Sequence, residues 1–151
     1  MNVIEWLVED HDKLRRELVN IRKNLCDASL KKRVKNFAFD LEFHESIEEE
    51  ILFSQMGDHI ADEMTGKAMS HCEDAHDEIW RLIDELLEKV DQHHFSDLQQ
   101  CFFYFDATVE AHIRHEEHIL FPRLLQLLDK SLMEDLSRKV EERTTKFSMQ
   151  Y

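Results

Sequence analysis

Six polar side chains stand where a helical repeat otherwise places apolar ones: His11, His44, Glu48, His76, His112 and Glu116. Neutral imidazole and carboxylate are both ligands for iron, manganese and zinc. In His44-x-x-x-Glu48 and His112-x-x-x-Glu116 the spacing is one turn, so each pair shares a helix face. Taken singly, a seam histidine is a core residue satisfied by a neighbour, and a buried glutamate is a polar packing partner. Taken together, with no Lys or Arg in the seams, the six would bury two negative charges without cations. That costs on the order of several kcal/mol per ion, against a total domain stability of only ~5–15 kcal/mol. Metal cations remove the cost.

Four imidazoles and two carboxylates suit two ions better than one. Each ion would take two imidazoles, with Glu48 and Glu116 bridging both, whereas a closed structural zinc site needs only four ligands in all. An octahedral ion would keep positions for water, an oxo bridge or an exogenous molecule. Mixed nitrogen and oxygen donors favour two iron ions; manganese and zinc rank behind. The Glu-x-x-His spacing of ferritin-like di-iron bundles occurs only at Glu73-Asp74-Ala75-His76, with Glu73 off the seam.

The elements that must position these groups are helices. Apolar residues recur at steps of three and four over about 3–26 (Ile4, Leu7, Leu14, Leu18, Ile21, Leu25), and Asn2 with Glu5 forms a capping pair. A second helix is predicted over about 30–55 behind Ser29 as N-cap, with seam Leu30, Val34, Phe37, Leu41, His44, Glu48, Ile51. The stretch 57–66 holds both glycines and is the clearest break. A third helix is predicted over about 65–90, along Met69, Cys72, His76, Ile79, Ile83, Leu86 and Val90. After Ser96 and Gln99, a second capping pair, the fourth carries Leu98, Phe102, Phe105, Val109, His112, Glu116 and Ile119. Pro122 lacks the N–H a continuing helix uses, so a kink or an end is expected there. Ser131 with Glu134 opens a short fifth helix over about 131–147, carrying Leu132, Leu136 and Val140.

The fold class is therefore all-α, an up-down-up-down four-helix bundle with a short C-terminal fifth helix. The 151 residues are read as one domain, its bundle core spanning about 3–122. Three loops bring the six residues to one height, because residues equidistant from a hairpin loop lie level. His11 and His44 are equidistant from Asp27-Ala28, Glu48 and His76 from Asp62, and His76 and His112 from His94. The chain also repeats: "EDHDKLRREL" around His11 parallels "DAHDEIWRLI" around His76, 65 residues on. "HESIEEEILF" from His44 likewise parallels "HIRHEEHILF" from His112, 68 residues on.

Composition agrees with this reading. Two Gly and one Pro are too few for a fold rich in tight turns. Lys and Arg number 19 and Asp and Glu 33, a formal charge of −14 that repels phosphate backbones and anionic lipid. Nucleic acid and membrane are therefore excluded as partners. No apolar run reaches the ~18 residues of a membrane span, and the N-terminus shows no secretory signal pattern. Three cysteines (Cys26, Cys72, Cys101) without a CxxC pair fit free thiols in a cytoplasmic setting.

The pattern His11 … His44-x-x-x-Glu48 … His76 … His112-x-x-x-Glu116 resembles the hemerythrin-like family and its HHE cation-binding domains. The resemblance covers about 3–122 and extends to the segments "EEEILF" and "EEHILFP". It implies a non-haem di-iron centre inside a four-helix bundle. It also implies activities such as reversible O₂ binding, sensing of O₂, iron or redox state, NO or peroxide chemistry, or iron supply for repair. Oxygen-carrying members have a fifth histidine one turn before the second ligand of the third helix, where this chain has Cys72, with His71 one residue out of register. Those carriers end in His-x-x-x-x-Asp, whereas this chain offers Glu116 at i+4 and Glu117 at i+5; the first repeat favours Glu116. Sensor and repair members are the nearer likeness.

The expected function is a di-iron binding protein that binds or senses O₂, NO or peroxide. The alternatives are a di-iron oxidoreductase acting on peroxide or NO, or an iron storage or repair protein. A sensor without an attached output domain would signal through a homodimer or another protein partner. His115 is read as an interface histidine ahead of a fifth ligand, and His59, His93, His94 and His118 carry no signal. Cys72 is read as a packing residue first and as a ligand or redox thiol second. Phe37, Phe102, Phe105, Trp6 and Trp80 are core or near-core aromatics that would keep water from the centre.

Overall fold

The computed structural model describes residues 1–57 and 62–150, and these contain five long helices and no strand. Helix α1 spans Val3–Lys23 and α2 spans Leu30–Ser46. The second helix continues through a π-helical segment, Ile47–Phe53, and a last turn, Ser54–Met56. Helix α3 spans Glu63–Gln92 and α4 spans Phe95–His115. The fourth runs on through a second π-helical segment, Glu116–Leu120, into Phe121–Leu127, and α5 spans Lys130–Gln150. Helices α1 and α2, α2 and α3, α3 and α4, and α4 and α1 pack side by side, which closes the ring of a four-helix bundle. Helix α5 lies against α1 and the π-helical segment of the second helix, where Arg143 Nη1 donates to Glu50 Oε2 at 2.6 Å.

Several ends differ from the sequence reading for local reasons. The Asn2–Glu5 capping box forms as expected, with bonds of 2.8 and 3.0 Å. Ser29 does not cap α2; its hydroxyl accepts instead from Arg33 Nε at 2.9 Å. Helix α3 starts at Glu63 rather than near Thr65, because the Asp62 side chain accepts from the Met64 N–H, which takes Gly66 into the first turns. Ser96 is not an N-cap either, since α4 begins at Phe95, with His94 at the N-cap position, and His93 makes the turn in the left-handed region at φ 57°. The fifth helix is not short. It has 21 residues, as many as α1, and Asp129 caps it in place of Ser131 by accepting from the Leu132 N–H at 2.7 Å.

The fourth helix does not end at Pro122. The Phe121 N–H bonds to the Glu116 carbonyl five residues back, and the wider turn passes the proline ring into Phe121–Leu127. The bundle core therefore extends beyond residue 122. The same wide turn rotates the seam, so Leu120 is buried and Ile119, the expected seam residue, is 46% exposed.

The apolar interior is divided in two. One cluster contains Leu14, Leu18, Phe37, Ile79, Leu86, Phe102 and Phe105, with Phe37 and Phe105 edge to face at 5.5 Å. The other contains Val3, Leu7, Ile51, Met56, Cys72, Phe121, Leu136 and Val140, so α5 helps to close that end. On every one of the four bundle helices the polar seam residues fall between these clusters.

Away from that layer, Glu17 on α1 is half-buried, has no hydrogen bond at Oε2 and faces Asp40. Burial, a shared hydrogen bond and the charge of Asp40 push the Glu17 carboxyl from the ordinary 4.5 up to about 8. The unfolded chain ionises near 4.5 while the folded one resists until about 8, so stability falls across that interval as pH rises. Glu17→Gln is expected to raise the melting temperature at pH 8.5 and leave it unchanged at pH 4. After allowing for solvent screening the gain is on the order of 1 kcal/mol; urea titrations at the two pH values check it.

Candidate metal centre

Each of the six seam residues is buried, none more than 6% exposed. Their height is fixed by the loops, and their inward direction by the helical repeat. The structure brings all six together in two groups, the donor atoms of each lying within 4.8 Å of one another. One group is His11, His44, Glu48 and Glu116; the other is His76, His112, Glu48 and Glu116 with Cys72. Both carboxylates belong to both groups. His112 Nε2 lies 2.9 Å from Glu116 Oε1, His11 Nε2 3.3 Å from the same oxygen, and His76 Nε2 3.3 Å from Glu48 Oε2. His44 Nε2 is in close contact with Glu48 Oε1.

Contact is not the same as satisfaction. His11 Nε2, His44 Nε2, Glu48 Oε1 and Glu116 Oε1 are buried, and none makes a hydrogen bond of acceptable geometry within the described residues. Buried polar atoms left so cost about 1–3 kcal/mol each. All four belong to the first group. Lone pairs that converge without hydrogen bonding fit a shared cation, which would satisfy every one at once.

The reverse edges of the rings are held by carboxylates. His11 Nδ1 is 2.9 Å from Glu117 Oε2, His44 Nδ1 2.8 Å from Asp10 Oδ2, and His76 Nδ1 2.9 Å from Glu49 Oε1. An ionised carboxylate only accepts, so Nδ1 carries a proton, and in the neutral imidazole that a metal requires Nε2 offers its lone pair to the centre. Arg15 steadies Glu117, donating to it at 3.3 Å and to Glu110 at 3.1 Å. Phe121 stacks on His11 with centroids 5.8 Å apart, and Trp6 on His44 at 6.3 Å.

Electrostatics in this layer follow from mutual contact. Burial alone would depress the His44 and His76 pKa values, but Glu48, with Asp10 or Glu45 and Glu49, outweighs it. His44 is held well above its ordinary value and His76 at about 10. Burial would raise Glu48, yet the His44 and His76 imidazoles draw it well below the carboxylate range. Burial and then both glutamates push the Cys72 thiol far up. Without a metal, protons on the imidazoles thus partly neutralise the layer. Outside it, Glu45 accepts from Trp80 Nε1 at 2.8 Å, and burial raises its carboxyl to about 7.

Sequence spacing alone does not mark Asp10, Glu49 or Phe121 as parts of this site, and Glu117 enters it only as the lesser ligand choice. Their signal is adjacency: Asp10 precedes His11, and the Glu48-Glu49 doublet recurs as Glu116-Glu117. His115 lies beside His71, ring centroids 4.2 Å apart, and joins neither donor group. His93, His94 and His118 are exposed, and His59 lies outside the described residues.

The repeat is imperfect at one partner. Offset by 65, Asp10 corresponds to Ala75, and His112 Nδ1, the counterpart of His44 Nδ1, is buried without a hydrogen bond. Ala75→Asp is expected to supply the missing acceptor and to tighten metal retention at His76 and His112 by about 10-fold. Competition with a calibrated chelator measures it.

A closed ring of four antiparallel helices around a buried layer of histidines and carboxylates defines a cation-binding helical bundle. The sequence model of the hemerythrin HHE cation binding domain matches residues 2–124, and the chain belongs to that family. No curated protein and no solved structure matches it. No helix among the described residues is long and apolar enough to cross a membrane.

Proposed function

We propose that the protein holds a non-haem di-iron centre and binds or senses a small oxidant or diatomic: O₂, NO or peroxide. The observation that carries this reading is the sharing of Glu48 and Glu116 between two donor groups. In it, His11 and His44 would hold one ion, His76 and His112 the other, and Glu48 and Glu116, within reach of both groups, would serve each. Bound iron would supply redox capacity and an open coordination position.

The chain's own contribution is orientation and exclusion. Asp10, Glu49 and Glu117 fix three of the imidazoles, and Trp6 and Phe121 wall one side. Burial of all six donors restricts the centre to ligands of a few atoms unless helices part. The arrangement supports a binding or sensing module, because the donor groups hold no additional acid, base or nucleophile apart from the Cys72 thiol.

Metal analysis of the purified protein, with optical spectra of the reduced iron form before and after O₂, NO and peroxide, tests the reading. Two irons per chain and a reversible spectral change without turnover are expected. Catalytic turnover of peroxide or NO would replace the module by an oxidoreductase, and an absence of bound metal would overturn the centre itself.

A further inference from the structure

The two halves of the site are not chemically alike. Shifted by 65 residues, Leu7 of the first half corresponds to Cys72 of the second. Both are fully buried, but only Cys72 brings a donor atom. Its Sγ lies 3.6 Å from Glu48 Oε2, 3.6 Å from Glu116 Oε2 and 3.6 Å from His76 Nε2. A thiol has one proton and can satisfy only one of three such neighbours by donating.

A shared ion accounts for all three distances together. With metal–sulfur near 2.3 Å and metal–nitrogen or –oxygen near 2.1 Å, the angles of about 90–120° in a five-donor set place sulfur about 3.1–3.8 Å from each neighbouring donor, a range that holds all three distances. We propose that Cys72, as a thiolate, is a ligand of the ion held by His76 and His112, and of that ion alone. The inference rests on the two-ion reading above and gives the pair of positions different character.

Ring hydrogen bonds show the same asymmetry. Asp10 and Glu117 each hydrogen-bond an imidazole of the first position. At the second position only Glu49 does so; Glu45 lies close to His76 but accepts from Trp80, and Ala75 stands where the repeat would put an aspartate. A Cys72 thiolate would add a negative donor on the ion itself rather than behind a ring. Binding breaks the S–H bond, sends the proton to bulk solvent and forms the sulfur–metal bond, with no change in oxidation state. The sulfur makes the second position the softer of the two.

Anaerobic titration of the metal-free full chain with cobalt(II) tests this through thiolate-to-cobalt charge-transfer absorption. Two cobalt ions per chain and the band of one thiolate are expected. Cys72→Ser should abolish the band and Cys26→Ser and Cys101→Ser should keep it. His11→Ala should keep the band while one ion is lost, and His76→Ala should lose both the band and an ion. Wild-type protein that binds two cobalt ions without the band overturns the thiolate ligand while leaving the dinuclear reading intact. One ion with the band overturns the dinuclear reading alone, and no bound cobalt overturns both. The wild-type measurement decides even where a variant does not fold.

Discussion

Glu48→Gln and Glu116→Gln should each strip metal from both positions, whereas His11→Ala and His112→Ala should each mainly affect one. The difference follows from membership: each glutamate lies in both donor groups, and each histidine in one. Glutamine keeps the side-chain volume but is neutral, and only its carbonyl oxygen remains an acceptor. Loss of a partner merely behind a ligand already costs 10- to 100-fold in metal affinity. Loss of a shared ligand should therefore exceed about 100-fold at each position, or roughly 3 kcal/mol. Elemental analysis after dialysis against a chelator of known affinity reads the result directly. A Glu48→Gln protein that retains one tightly bound ion would show that this carboxylate does not bridge.

Chelation of the metal should lower the melting temperature by a large step. An ion present at a thousandfold its dissociation constant stabilises the folded state by about 4 kcal/mol. For a chain of this size that corresponds to roughly 8–16 °C per ion. The location of the layer explains why the chain cannot easily compensate. It lies between two apolar clusters, so Glu48 and Glu116 are shut off from bulk solvent, and among the described residues no Lys or Arg pairs with either. Only protons on the imidazoles stand in, and they leave Glu48 Oε1 and Glu116 Oε1 without a hydrogen bond of acceptable geometry among the described residues. Scanning calorimetry with and without chelator measures the step. An unchanged melting temperature would mean that protonation alone carries the layer.

Loop arithmetic holds because each helix runs unbroken from its loop to the histidine layer. The spacing of His11 to His44, and of His76 to His112, fixes height without any knowledge of side-chain contacts. The periodicity also identified the burial of Phe37, Phe105 and Cys72. It failed where the helical period itself changes. Ile119 falls on the seam in an α-helical count, but the π-helical turn of Glu116–Leu120 puts Leu120 there instead. A second π-helical turn begins at Ile47, beside Glu48. Neither leaves a mark in residue type, since a π-turn is set by packing on neighbouring helices rather than by propensity. Caps were legible only where a side chain had no competing partner: Asn2 kept its box, while Ser29 was taken by Arg33.

The sequence by itself determined the helical class, the repeated hairpin and the six donors that reach one level, because these follow from period and loop position. Tertiary packing decided which atoms turn inward. It put Asp10, Glu49 and Glu117 behind three rings and left the fourth, His112, without a hydrogen bond at Nδ1. It also set the Cys72 sulfur equidistant from three donors. Such choices depend on rotamers and on residues from other helices, and one-dimensional spacing carries no information about either.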